Sequence, residues 1–197
     1  MKTEIEVKFL DIDIDEVRDK LKAAGAHLEQ PMRLMKRALV ETEETRKRNG
    51  YLRVRDEGDK ITATFKQFKE NSLTGAQERE ITVSDFDETL AIFAEFGLNY
   101  HTFQESKRET WKFEDVEVVI DEWPWINPYI EIEADSEDAV KNAAKELGYD
   151  WDDAVFGSVD VIYNIEYPNM TVRGVIDIKE VRFGEPAPKE FVGKAVS

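Results

Sequence analysis

Charged side chains occupy every second position in several short segments of the chain. Glu4, Glu6 and Lys8 alternate with apolar residues near the N-terminus, and Arg53 and Arg55 do so further along. Residues two apart in a β-strand point to the same side, so each segment predicts a strand with one charged face. Carboxylates are the oxygen ligands that Mg²⁺ or Mn²⁺ prefers, and lysine and arginine donate charge-assisted hydrogen bonds to phosphate oxygens. Together the two sets could bind a metal ion and a polyphosphate.

The same alternation recurs in other strand-like segments. Its charged and polar members are Thr62, Thr64, Lys66, Glu78, Glu80, Thr82, Arg108, Asp121, Glu131 and Glu133. One such strand alone is typical of an antiparallel sheet with a solvated side. Several in one sheet, with helices to cover the apolar face, favour a closed barrel whose charged face points inward. Like charges in that interior would repel, so it is credible only with a compensating ligand.

Three amphipathic helices are predicted, each directly after a strand with acidic residues. The expected N-cap residues are Asp13 or Asp15 for the first helix, Ser84 with Asp87 for the second, and Asp135 or Ser136 for the third. Left-handed glycine caps are expected at Gly25, Gly97 and Gly148. The order of strand, capped helix and glycine occurs three times, which suggests an internal repeat.

Further strand-like runs separate these units, at residues 34–40, 51–55, 60–68, 100–113 and 116–121. With about eight strands and three main helices, the pattern predicts an α+β fold. In it an antiparallel sheet closes on itself as an eight-stranded β-barrel, with the helices packed outside. Residues 159–167 are predicted as a short helix or strand, and residues 171–183 are strand-like.

Composition limits the organisation and the partners of the protein. Its 197 residues fit one domain, which we expect to span residues 1–170, with residues 171–197 as an extension packed on it. The 43 acidic and 27 basic side chains give a formal net charge of −16, which disfavours a broad surface for nucleic acid or for an anionic membrane. The sequence has no Cys for a thiolate site and no apolar leader or spanning segment, so a cytoplasmic protein is expected.

The motifs resemble, in order, those of the CYTH superfamily, or triphosphate tunnel metalloenzymes. That superfamily includes class IV adenylyl cyclases, thiamine triphosphatases and inorganic triphosphatases. Glu4-Ile5-Glu6-Val7-Lys8 resembles the family's Glu-x-Glu-x-Lys signature, and Tyr51-Leu52-Arg53-Val54-Arg55 its Arg-x-Arg strand. Further matches follow at residues 64–66, 78–80, 107–108, 119–124 and 129–133.

The resemblance implies an eight-stranded tunnel open at both ends. Triphosphate would be bound by Lys8, Arg53, Arg55, Lys66 and Arg108. One or two Mg²⁺ or Mn²⁺ ions would be held by Glu4, Glu6, Glu78, Glu80, Asp121, Glu131 and Glu133. Glu4, Glu6, Lys8 and Lys66 would take part in catalysis. One position departs from the pattern, because Ser106 stands where many relatives have a lysine two residues before the arginine.

The sequence leaves three functions open. The first is a metal-dependent phosphohydrolase acting on inorganic triphosphate or a small organic triphosphate. The second is a class IV adenylyl cyclase that makes cyclic AMP and pyrophosphate, and the third is a polyphosphate or nucleotide sensor without catalysis. In all three the partner is a small polyphosphate or nucleoside triphosphate, and a homodimer stays open. The aromatic residues of segment 123–129 could stack on a base or form a packed turn, and His27 and His101 are assigned to surface or packing.

Overall fold

The structure is a computed structural model that describes residues 2–68, 76–170, 172–191 and 193, without the side chains of residues 2–4, 68 and 76. The strands in these residues are β1 (Lys2–Phe9), β2 (His27–Val40), β3 (Gly50–Asp56), β4 (Ile61–Phe68), β5 (Ala76–Val83), β6 (Thr102–Phe113), β7 (Val116–Glu122), β8 (Tyr129–Ala134) and β9 (Glu180–Val181). The α-helices are α1 (Ile14–Ala23), α2 (Glu43–Lys47), α3 (Phe86–Glu95), α4 (Glu137–Glu146) and α5 (Val159–Glu166). Short 3₁₀ helices cover Trp151–Asp153 and Val175–Asp177.

Eight strands form a ring of antiparallel pairs. Their hydrogen bonds follow the order β2-β3-β4-β5-β1-β8-β7-β6, and β6 pairs again with β2, which joins the two ends. The first strand changes partner along its length, since Thr3 lies opposite Gln77 of β5 and Val7 lies opposite Ile132 of β8. The two-residue strand β9 adds to β6 in parallel. The predicted α+β fold with an eight-stranded antiparallel barrel is confirmed.

The main apolar core lies between the outer face of the ring and two helices. Val7 and Ile132 from the strands pack with Leu21 of α1, with Val140 of α4 and with Leu147 directly after α4, and all five are buried. Because side chains alternate along each strand, this apolar outer face leaves the charged residues on the inside. The core therefore explains why the chain orients its charged face toward the ring's interior.

A second apolar cluster lies around α5 and the segments beyond it. It joins Tyr163 and Tyr167 to Val175, Val181 and Phe191, all of them buried. The division into residues 1–170 and an extension at 171–197 stays a prediction. Within the described residues, no helix has the length and apolar character needed to cross a membrane.

The local helix signals were mostly correct. Asp13 accepts hydrogen bonds from the first-turn amides of α1, and Ser136 does so for α4. The cap of α3 is Asp85, so the expected pairing of Ser84 with Asp87 was wrong. The three predicted glycine caps, Gly25, Gly97 and Gly148, have φ angles of 84°, 76° and 79°.

The strand predictions were wrong in two regions. The second strand begins at His27, well before residue 34, and its register shifts near Gln30. Residues 171–183 were expected to be strand-like, but the described part holds only a 3₁₀ turn and the two-residue β9. Gly174 has a φ of 92°, a left-handed conformation that interrupts an extended chain. The ambiguous segment 159–167 forms helix α5 over Val159–Glu166.

Candidate functional site

A cavity of about 400 Å³ lies inside the ring, and all eight strands of the ring contribute to its lining. The predicted phosphate-binding residues all line it, namely Lys8, Arg53, Arg55, Lys66 and Arg108. Of the predicted metal ligands, Glu6, Glu78, Glu80, Asp121, Glu131 and Glu133 line it as well. The side chain of the remaining candidate, Glu4, lies outside the described residues. The structure thus brings the described candidates into one chamber.

Carboxylates face one another across the strands β1, β8 and β7. Glu6 lies opposite Glu133, and Glu133 lies opposite Glu117 on its other side. Directly opposed residues of an antiparallel pair have Cβ atoms about 4.5–5.5 Å apart, so the three negative charges repel one another. Such a row needs cations to balance it, and Lys112 of β6 supplies one, since its ammonium nitrogen lies 2.8 Å from Glu117 Oε2.

Lys8 supplies part of that balance from within the chain. Its ammonium nitrogen lies 2.8 Å from Glu6 Oε1 and 3.0 Å from Glu131 Oε2. Burial alone would lower the pKa of Lys8, but Glu131 and Glu6 raise it above its ordinary value. Burial would likewise raise the pKa of Glu131, whereas Lys8 and then Arg108 lower it to about 2. Both groups are therefore charged at neutral pH.

Two further ion pairs join neighbouring strands on the inside of the ring. Arg108 donates to both carboxylate oxygens of Asp121, at 2.7 Å from Nε and 2.6 Å from Nη2. On the opposite side of the ring, the ammonium of Lys66 lies 2.8 Å from Glu78 Oε1. These pairs hold the ends of long side chains at fixed positions over the cavity.

Arg53 and Arg55 of β3 carry donors that the described residues leave unused. The Nε atom of each is buried and has no hydrogen-bond partner among the described residues. A terminal nitrogen of Arg55 lies 2.5 Å from Glu57, while Arg53 lies 3.8 Å from Glu80. Burial lowers the pKa of Arg55 to about 10, and the neighbouring charge of Arg53 contributes to that shift. Buried unused donors on adjacent cations are the expected lining of an anion site.

A family model described as the CYTH domain matches residues 2–153. The chain belongs to the CYTH domain family. This accounts for the ordered motifs, because the matched residues include every candidate ligand in the cavity. The comparison with curated proteins returned no match.

Several solved structures share this CYTH fold. The PH1012 protein from Pyrococcus horikoshii OT3 is similar with a TM-score of 0.65 and 20% identity, covering 77% of this chain and 93% of that chain. A candidate adenylate cyclase from Vibrio parahaemolyticus has a TM-score of 0.69 and 11% identity, with 82% and 97% covered. HpAC1 from Hippeastrum, a candidate adenylyl cyclase described as having a dominant triphosphatase activity, has a TM-score of 0.54 and 16% identity, with 80% and 91% covered. At these identities the similarity shows the fold.

Sequence reasoning missed several residues of the CYTH cavity. Arg37 lines it from β2, Glu117 from β7 and Asp160 from the first turn of α5. The inner face of β2 could not be recognised from its sequence. Met35 and Leu39 lie on the same side of the strand as Arg37, whereas the charged Lys36 lies on the other side. Asp160 lies on a helix, where strand alternation gives no signal. Burial raises its pKa, which the charge of Arg37 partly opposes.

The described carboxylates of the cavity are not gathered into a preformed metal cage. Among the side chains that the structure describes, no three acidic or histidine residues are close enough together to hold a metal ion. Several of them are instead engaged by the lysines and arginines described above. The predicted metal ligands therefore stay a prediction, supported by their position in the cavity and by their oxygen chemistry.

The aromatic segment divides between cavity and core. Trp123 and Tyr129 are buried and line the cavity, whereas Trp125 donates to the carbonyl of Glu185 outside it. Tyr163 donates to the carbonyl of Pro124, which holds the turn against α5. Base stacking stays a prediction. The two histidines do not line the cavity, since His27 is exposed and the half-buried His101 lies elsewhere.

Proposed function

We propose that the protein is a divalent-metal-dependent triphosphatase acting on inorganic triphosphate or a small organic triphosphate. The observation that carries this proposal is the division of charge inside one closed ring. Arg53 and Arg55 present unused donors from one wall, and Glu6, Glu117 and Glu133 form an acidic row on another. A polyanion with bound metal cations complements both walls. The activity described for the structurally similar HpAC1 agrees with this proposal.

The basic residues would bind and orient the substrate. Arg53 and Arg55 would donate to non-bridging phosphate oxygens with Nε atoms that have no partner among the described residues. Lys8, Lys66 and Arg108 would reach the same chain of phosphates from other strands. In phosphoryl transfer most of the catalytic effect comes from positioning and charge neutralisation, which a fixed set of cations supplies.

The acidic residues fit a hard divalent cation. They offer only carboxylate oxygens, the donors of Mg²⁺ and Mn²⁺ sites. A cation would relieve the repulsion among Glu6, Glu117 and Glu133 that Lys8 and Lys112 leave uncompensated. Glu4, Glu78, Glu80, Asp121 and Glu131 are the other proposed ligands. When bound, the metal would neutralise phosphate charge and lower the pKa of an attacking water.

The remaining roles belong to the lysines and glutamates of the strand walls. Lys8, raised in pKa and held between Glu6 and Glu131, stays protonated and would stabilise negative charge on the transferred phosphoryl group. Lys66 would do the same from β4. Glu4 and Glu6 complete the catalytic set proposed from the sequence. Water attacks the terminal phosphorus, the bridging P–O bond breaks, and orthophosphate and the shortened phosphate chain are released.

The proposal is tested by incubating the pure protein with tripolyphosphate and Mg²⁺ or Mn²⁺ and measuring orthophosphate. Glu133→Gln should lower the rate more than about tenfold, as expected for a group that holds a catalytic metal. Glu137→Gln on the outer helix α4 is the matched control and should leave the rate unchanged. If Glu133→Gln and wild type release phosphate equally, the acidic row has no catalytic role.

The same preparation separates the two alternative functions. With ATP as substrate, cyclic AMP and pyrophosphate would indicate an adenylyl cyclase, whereas ADP and orthophosphate would indicate the hydrolase. Tight binding of tripolyphosphate without turnover, across several metals and pH values, would instead indicate a sensor.

A further inference from the structure

Arg37 differs from the other cations of the cavity because, within the described residues, it forms no ion pair with a carboxylate. The six other basic residues that line the cavity each have a carboxylate oxygen within 3.8 Å; they are Lys8, Arg53, Arg55, Lys60, Lys66 and Arg108. Within the described part of the chain, the one hydrogen bond of Arg37 runs from its Nε to Gln104 Oε1, at 2.7 Å. Its two terminal nitrogens are therefore available to a ligand.

The guanidinium of Arg37 is nevertheless held in place. One face lies over the ring of Trp123, with 4.3 Å between the guanidinium carbon and the ring centroid. Gln104 is fully buried, and its amide nitrogen donates to Thr102 Oγ1 at 3.1 Å and to the carbonyl of Val175 at 3.2 Å. These two bonds fix the direction of the amide, so its oxygen can only point toward Arg37. Gln104 thus sets the orientation of the arginine.

The neighbours of Arg37 favour an anion at this place. Arg37 lies directly opposite Arg55 in the pairing of β2 with β3. Burial lowers the pKa of Arg37 and the charge of Arg53 lowers it further, while Tyr51 and the carboxylate of Asp160 partly oppose this shift. Three adjacent guanidinium groups repel one another in a buried cavity, and an anion shared between them removes that repulsion.

We propose that Arg37 is a further anion-binding residue of the cavity, which binds a phosphate group of the substrate together with Arg55. Gln104 is its positioning residue. This inference rests on the proposed function only for the identity of the anion, a short polyphosphate. Its geometry also ties the segment around Val175 to the site, because Gln104 is the link between that segment and Arg37.

Calorimetry with inorganic tripolyphosphate in the presence of EDTA tests binding without turnover. Arg37→Gln should weaken the affinity about ten- to hundredfold, because it removes a charge-assisted contact. Arg37→Lys keeps the charge and loses the planar fork, so it should weaken binding less. Lys36→Gln is the matched control, since Lys36 is the exposed neighbour on the outer face of the same strand and should leave the affinity unchanged.

The role of Gln104 is tested by asking whether the effect of Gln104→Leu on binding requires Arg37. Gln104→Leu should weaken binding several-fold, and the double variant Arg37→Gln with Gln104→Leu should bind no more weakly than Arg37→Gln alone. A purely structural role would instead give additive losses. Circular dichroism and the melting temperature check folding. Should Arg37→Gln not fold, the comparison of Arg37→Lys with Lys36→Gln decides.

Two outcomes would overturn the inference. In one, the Arg37 variants bind tripolyphosphate within about twofold of Lys36→Gln, and in the other, wild type does not bind it at all. Wild type that binds but never hydrolyses tripolyphosphate would remove the proposed triphosphatase and leave this inference standing, provided that the Arg37 variants bind more weakly.

Discussion

At the scale of single residues, the cavity is a set of buried charges that stabilise one another. Glu131 is the central example, because it lies 3.0 Å from Lys8 and 3.7 Å from Arg108. Removing one member of such a group leaves the other charges buried without compensation. That loss is larger than the net contribution of the intact group.

Replacing Glu131 by Gln should therefore lower the free energy of unfolding by about 3 kcal/mol at neutral pH, as for other buried ion pairs that lose one partner. Urea unfolding measures the change. Glu137→Gln, which breaks the exposed pair with Lys141 on α4, serves as the control and should cost about 0–0.5 kcal/mol. Equal effects of the two variants would mean that the cavity charges are solvated like those of the surface.

The sequence was informative for residues that alternate cleanly with apolar neighbours. All the described candidates of the Glu-x-Glu and Arg-x-Arg segments line the cavity, since strand periodicity places them on one face. Arg37 could not be predicted in this way, because β2 mixes apolar and charged residues on both faces. Its inward position follows from the register with β3 and β6, which depends on contacts between distant parts of the chain.

At the scale of elements, one buried carboxylate attaches a helix to the barrel. Glu109 of β6 accepts from Arg18 of α1 at 3.1 and 2.8 Å, and from the indole of Trp111 at 2.7 Å. Burial alone would raise the pKa of Glu109, but the hydrogen bonds from Arg18 and Trp111 hold it below its ordinary value. The ionised form is thus the one that docks α1.

This arrangement predicts how stability depends on pH. A carboxyl whose pKa is lowered in the folded state contributes stability above its unfolded value, about 4.3 for glutamate, and loses it as the pH falls through the folded value. Glu109→Gln should reduce the free energy of unfolding by about 1–3 kcal/mol at neutral pH and have a smaller effect in acid. Glu16→Gln, on the exposed side of α1, provides the comparison. A Glu109→Gln effect that is the same at pH 3 and pH 7 would contradict this role.

Elements were predicted where local signals agree with the tertiary fold. Asp13, Ser136 and the glycine caps mark helix ends through bonds made within a few residues, so sequence alone suffices. The segment after Thr171 was misjudged because its β-branched residues pack as a layer on α5 and pair with β6 over only two residues. Packing of that kind has no local periodicity.

At the scale of the whole molecule, the net charge and the cavity have different consequences. A chain with a formal net charge of −16 should repel a polyanion at long range, and salt should weaken that repulsion. Inside the ring, Arg37, Arg53 and Arg55 concentrate positive charge on the wall formed by β2 and β3. Binding is therefore decided by the cavity rather than by the surface.

Tripolyphosphate with Mg²⁺ should raise the melting temperature well above the effect of sulfate at equal ionic strength. A ligand that binds only the folded state stabilises it by mass action, about 2.7 kcal/mol at a concentration one hundred times the dissociation constant. Arg53→Ala should reduce the rise, because it removes a phosphate donor. Two results would contradict this prediction: an equal rise in melting temperature with sulfate, or an undiminished rise in Arg53→Ala. Either would mean that the arginines lie on a solvated face of the sheet and do not form an anion-binding cavity.

The position of β1 between β5 and β8 determines when its strand pairing can be completed during synthesis. Residues Ile5–Phe9 are synthesised before their partners in β8, which end at Ala134. At a typical rate of about 5–20 residues per second, β1 waits roughly 6–25 s for the strand that completes its pairing. Until then its apolar face and open edge are exposed to other nascent chains, so translation speed and chaperones should influence the yield of native protein.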